Sequence, residues 1–158
     1  MSTKPMLITV AVSLAMSASS FAADDLVLAR DGKALAPIVV SGQGSVAGFA
    51  ARELKDYLDR VSGAEFKIVS NADRSPRIFV GDCPAAWAAG LDVETLKRDG
   101  FYRVVAGDDL FLLGRDDAGP RNPVLNGHPG IAMRPGERAT LFAVYDLLED
   151  VCGVRWFM

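Results

Sequence analysis

Two stretches with apolar residues at helical spacing constrain this chain more than any other feature, because each must bury one face against a sheet or another helix. Val46, Phe49, Ala50, Leu54, Tyr57, Leu58 and Val61 line one face of a helix expected from about Ser45 to Ser62. Ser45 is suited to the N-cap and Gly63 to the left-handed position after the last turn. On its other face Arg52–Asp56 and Asp56–Arg60 stand four residues apart and support the helix weakly. Leu141, Val144, Tyr145, Leu148 and Val151 repeat the pattern after Glu137, with Gly153 as the stop. Val154-Arg155-Trp156-Phe157 then reads as a short aromatic strand.

The rest of the mature region reads as strands. Leu26–Arg30 and Pro37–Val40 are β-rich runs flanking Asp31-Gly32-Lys33, a hairpin-type turn. Further strands are expected at Phe66–Ser70, Arg77–Gly81, Phe101–Ala106 and Leu110–Gly114, the last two around a Gly107-Asp108-Asp109 turn. A short helix is expected around Val93–Lys97. Residues 116–136 are rich in Pro and Gly and read as a long loop, of the kind that is functional or disordered. The order β-β-α-β-β-β-β-α predicts a two-layer α/β (α+β) domain, a mixed β-sheet with both main helices on one face.

The first residues belong to targeting. Lys4 precedes an apolar run from Met6 to Met16, and Ser20-Phe21-Ala22 is a small-x-small cleavage pattern. Residues 1–22 therefore read as a cleaved signal peptide, the alternative being an unstructured apolar terminus, and the mature domain as 23–158. The expected location is periplasmic or extracellular, with no membrane association after cleavage because the apolar run is too short to span a bilayer. The formal charge of -3, with no basic run, argues against a nucleic-acid partner. Cys83 and Cys152 are either a disulfide in an oxidising compartment or two buried thiols. A single histidine, His128, gives no metal site.

Chemistry-bearing patterns are few. Gly42-Gln43-Gly44-Ser45-Val46-Ala47 matches the G-x-G-x-x-A fingerprint of dinucleotide-binding turns. Its preceding strand reads as the second arm of a hairpin, and no acid closes a strand about 20 residues on. A flexible strand-to-helix turn is the simpler reading, no cofactor is expected, and a dinucleotide-binding fragment is the weakest alternative. The acid doublets Asp108-Asp109, Asp116-Asp117 and Glu149-Asp150 are adjacent in sequence and expected to be solvated. Glycosidase chemistry needs two carboxyls facing each other roughly 5–10 Å apart. No catalytic residue is assigned, and this chain alone is expected to be inactive. Arg155, Trp156 and Phe157 are the candidates for contact with a sugar or a neighbouring domain, through ring stacking and guanidinium hydrogen bonds. Trp87 reads as a core or lid residue.

Four passages together resemble the N-terminal domain of the α-glucuronidase and β-hexosaminidase-like glycoside hydrolases, over Leu26 to Met158. They are Leu35-Ala36-Pro37-Ile38-Val39-Val40 with Ala50-Ala51-Arg52-Glu53-Leu54-Lys55-Asp56-Tyr57-Leu58; Ser62-Gly63-Ala64-Glu65-Phe66; Ile78-Phe79-Val80-Gly81-Asp82; and Phe142-Ala143-Val144-Tyr145-Asp146-Leu147-Leu148-Glu149-Asp150 with Gly153-Val154-Arg155-Trp156-Phe157. The resemblance implies a fold like the second domain of hexosaminidases, non-catalytic, packed against a (β/α)8 barrel that carries the catalytic carboxylates. The stretch from Pro120 to Gly136 departs from the family, which reaches its final helix soon after Gly114-Arg115-Asp116-Asp117. The function so implied is an accessory domain of an exported glycoside hydrolase; the alternative is a stand-alone carbohydrate-binding module.

Overall fold

Ile38-Val39-Val40 is buried on every residue, the mark of a strand covered on both faces. In the computed structural model, which describes residues 26–41, 46–116 and 137–156, this run is strand β3 of a five-stranded mixed sheet. Its neighbours are β4 (Ile68–Val69) and β5 (Ile78–Val80), both parallel to it. β7 (Asp109–Gly114) is parallel to β5, and β6 (Phe101–Ala106) pairs antiparallel with β7, so the order is β4-β3-β5-β7-β6. The chain is thus a two-layer α/β domain among the described residues, with the mixed sheet and the two long helices on one face.

Alternation along the strands separates two cores. Ile38, Val40, Ile78, Val80, Leu110 and Leu112 face α1 (Val46–Ser62) and α3 (Ala139–Asp150). Val39, Phe79, Phe111 and Leu113 point the other way, under Ala86, Leu91 and Val93. These last belong to α2 (Pro84–Ala88) and to the stretch around a 3-10 turn, Val93–Thr95. The Phe79 and Phe111 rings stack with centroids 4.9 Å apart, neighbours on adjacent parallel strands.

The end of α1 follows its sequence signals. Gly63 has φ 67 and its N–H donates to the Asp59 carbonyl at 2.9 Å. Asp59 then organises the exit: its carboxylate accepts from the Phe66 N–H at 2.8 Å and pairs with Lys55. That pairing offsets the burial that would otherwise raise its carboxyl, which lies below the ordinary value.

Two expectations are corrected here. The hairpin is smaller than the sequence implied: β1 (Ala29–Arg30) pairs with β2 (Lys33–Ala34), not with the run ending at Val40. Asp31 and Gly32 both have positive φ, 51 and 70, as a two-residue turn between twisted strands requires. β1 and β2 form their own two-stranded sheet, which frees β3 to join the main one. Consequently β3, α1 and β4 make a parallel βαβ unit, contrary to the reading of β3 as a hairpin arm. Residues 42–45 of the glycine motif, the signal segment 1–22 and the greater part of the Pro/Gly loop, with Pro120, His128 and Gly136, lie outside the described residues.

Candidate functional site

Trp156 and Arg155 sit on the outer surface of the helix layer, brought there by the way α3 ends. Val151 N–H and Cys152 N–H both donate to the Leu147 carbonyl, at 2.9 and 3.4 Å. Gly153, at φ 69, turns the chain back, and the Val154 N–H reaches the Leu148 carbonyl at 3.0 Å. Residues 153–156 therefore run over the helices instead of forming the expected strand. Val154 packs against the core on the helix side of the sheet.

Trp156 lies on two tyrosines. Its ring centroid is 5.1 Å from that of Tyr145 on α3 and 5.9 Å from that of Tyr57 on α1, tilted 60° and 66°. These edge-to-face contacts are the favourable arrangement of aromatic quadrupoles. The Tyr145 hydroxyl donates to Glu53 Oε2 at 3.1 Å across the two helices. Burial, with the Glu53 carboxylate adding to it, holds the Tyr145 phenol above its ordinary value, so it stays a donor. The Arg60 guanidinium stands 5.7 Å from the centre of the Tyr57 ring. Trp156 nonetheless remains 42% exposed. Arg155 Nη1 donates to the Glu149 and Val154 carbonyls at 2.8 and 3.0 Å, closing the C-terminal turn of α3. Phe157 lies outside the described residues.

The acid doublets separate in space. Asp108 is exposed at the hairpin tip, whereas Asp109 is buried, correcting the expectation that both are solvated. Asp109 accepts from Arg77 Nε at 3.2 Å, from Nη2 at 2.6 Å and from the Arg77 backbone N–H at 2.9 Å. Arg77 also donates to the Ala72 carbonyl at 3.0 Å and lies 4.9 Å over the Phe79 ring. Asp116 Oδ1 accepts from the Thr140 N–H at 3.0 Å, serving the first turn of α3, so it too is engaged. Asp150 and Asp146 both bind Arg103 of β6, at 2.8 and 3.0 Å. Asp109, Asp116, Asp146 and Asp150 thus each have a structural partner.

Cys83 and Cys152 are free thiols on opposite faces of the sheet, Cys83 with the Phe79–Phe111 core and Cys152 with the helix core. The sheet between them keeps them from bridging. Burial pushes both thiols above their ordinary value, which favours the protonated form. Among the described residues no group of three His, Cys, Asp or Glu side chains is placed to hold a metal ion.

The C-terminal edge of the parallel strands is tightly built. A Cβ on Gly81 would come within 2.5 Å of the Ala47 Cβ, and one on Gly114 within 2.5 Å of the Ala139 Cβ. Both glycines thus let the first turns of α1 and α3 seat directly on strand ends. Thr140 is fully buried there, its hydroxyl accepting from the Gly114 N–H at 3.1 Å. Beside it Arg115 Nε pairs with Glu137 at 3.0 Å. On the same edge Trp87 is 59% exposed, which rules out the core half of its core-or-lid reading. Its indole N–H donates to Asp82 Oδ1 at 2.6 Å. Sequence reasoning missed this pair; Pro84 at the start of α2 was its one local signal, since it sets a helical turn between the two residues.

Comparison with family models, with curated proteins and with solved structures gave no match.

Proposed function

We propose that this chain is the non-catalytic N-terminal accessory domain of an exported glycoside hydrolase, packing against a (β/α)8 catalytic barrel and acting in polysaccharide breakdown. The observation that carries the reading is Trp156, held in one orientation by Tyr57 and Tyr145 yet 42% exposed. An aromatic fixed in this way loses little conformational entropy when a neighbouring domain covers it. Covering it gains roughly 2–3 kcal/mol by area. Val61, one turn beyond Tyr57 on α1, is also exposed and extends the apolar strip. The engagement of Asp109, Asp116 and Asp150 with Arg77, Thr140 and Arg103 supports a structural role for these three acids.

A stand-alone carbohydrate-binding module is less well supported at this surface, because Arg155 Nη1 is committed to two backbone carbonyls. The genomic reading frame downstream of Met158 tests the proposal. A frame that continues into βα repeats is the expected result, and a stop codon there overturns it. The full chain should also turn over no aryl glycoside and no glucuronoxylan fragment. Turnover abolished by replacing one of its acids would overturn the non-catalytic assignment.

A further inference from the structure

We infer that Trp87 and Asp82 form a glycan contact on the C-terminal edge of the sheet, with the indole as a stacking platform for a neutral pyranose. The site is independent of the accessory-domain reading and lies apart from Trp156, on the side of the sheet opposite the long helices. Three observations combine. Trp87 is 59% exposed, the second most exposed large hydrophobic residue of the described chain after Val151. Its indole is not free to turn, because Nε1 donates to Asp82 Oδ1 at 2.6 Å. Around it Pro84, Ala88, Ala89 and Gly90 are short and exposed, so the ring is not walled in by its own helix.

The chemistry of the ligand follows from where the carboxylate stands. An indole N–H lies in the plane of its ring, so its acceptor sits at the ring edge and leaves the face open. A pyranose has apolar C–H faces and hydroxyls that project outward around its rim. Stacked on Trp87, it places C–H groups on the electron-rich indole face. Its rim hydroxyls then fall near Asp82, whose Oδ2 has no hydrogen-bond partner among the described residues and accepts hydrogen bonds only. An apolar protein surface fits less well, since it would bury that oxygen unpaired. A nucleic-acid strand is repelled by the carboxylate and by a chain of net charge -3. A quaternary ammonium ion favours a carboxylate or further rings enclosing the indole face, and here the carboxylate is at the edge.

The chain has two tryptophans, so a Trp156→Phe variant leaves Trp87 as its only indole fluorophore. The full chain with that substitution is titrated separately with cellohexaose, xylohexaose, chitohexaose and choline. A saturable change in emission with at least one hexaose is expected, weakened several-fold by Asp82→Asn, whose amide oxygen still accepts from the indole. In calorimetry on the otherwise wild-type chain, Trp87→Ala should weaken the same hexaose about tenfold or more. Both substituted side chains are exposed, and unchanged thermal melts confirm that the fold is kept. No response to any hexaose, a response to choline alone, or calorimetric binding unchanged by Trp87→Ala overturns the site. Each of these results leaves the accessory-domain proposal standing.

Discussion

Replacing Asp109 with alanine should be among the most damaging single changes available in this domain. The carboxylate accepts from Arg77 Nε, Arg77 Nη2 and the Arg77 backbone N–H, joining the start of β5 to the start of β7. Removing it strands a guanidinium and a backbone donor at once. Breaking a buried pair from one side costs ~3–5 kcal/mol. The Arg77 side chain is 25% exposed against 10% for Asp109, so water can reach the abandoned cation. The cost should therefore fall near the low end, about 3 kcal/mol. At ~3–4 °C per kcal/mol for a domain of this size, the melting midpoint drops by roughly 10 °C. The pH dependence has a definite sign. Burial would raise the Asp109 carboxyl, but hydrogen bonds from Arg77 and Ser75 outweigh it and hold the group below the ordinary range. A carboxyl lowered on folding stabilises fully above its unfolded value of about 3.9, and that contribution is lost as pH falls through the folded value. Wild type should thus lose part of its advantage over Asp109→Ala below about pH 4. Calorimetric melts from neutral to acid pH measure both effects. A neutral-pH shift under about 2 °C, or a difference that stays constant into acid, would refute the reasoning.

Gly114→Ala should destabilise by about 1–3 kcal/mol in urea unfolding, because the new Cβ meets the Ala139 Cβ at 2.5 Å and its carbonyl carbon at 2.7 Å. Trp156→Ala should cost about 1–2 kcal/mol in the same assay, from two edge-to-face contacts and partial burial; no loss would mean that the tyrosines do not hold the ring. Exported protein should begin at Ala23 or Asp24, as intact mass will show; retention of Met1 contradicts the signal-peptide assignment.

The helices were legible because their code is local. Apolar spacing from Val46 to Val61 and from Leu141 to Val151, with Gly63 and Gly153 beyond, placed α1 and α3 correctly. Strands β5, β6 and β7 were legible for the same reason, as hydrophobic runs bounded by turn residues. The Asp31-Gly32 turn is a local signal for pairing Arg30 with Lys33, but the partners of β3 lie 28 and more residues away, and there the reading failed. Asp109 looked like its neighbour Asp108 because its partner, Arg77, is 32 residues away. Trp156 was read as part of a strand, and only the packing of Tyr57 beside Tyr145 gives it a different seat. Trp87 reads from sequence as a core or lid residue, and the turn that exposes it depends on Pro84 and Asp82.

The position of α3 in the chain has a consequence for how the domain comes into being. This helix follows every described strand in sequence, yet it supplies the buried Leu141, Val144, Leu147 and Leu148 that close one side of the sheet. It also carries Asp146 and Asp150, the carboxylates that secure the edge strand β6 through Arg103, up to 47 residues earlier. Until α3 is made, β5 and β7 have half their cover and Arg103 has neither partner. Contacts of such wide sequence separation form late, after their loop-closure entropy is met. A nascent chain not yet extended through Asp150 therefore cannot complete this core, and stays open for as long as that helix is withheld.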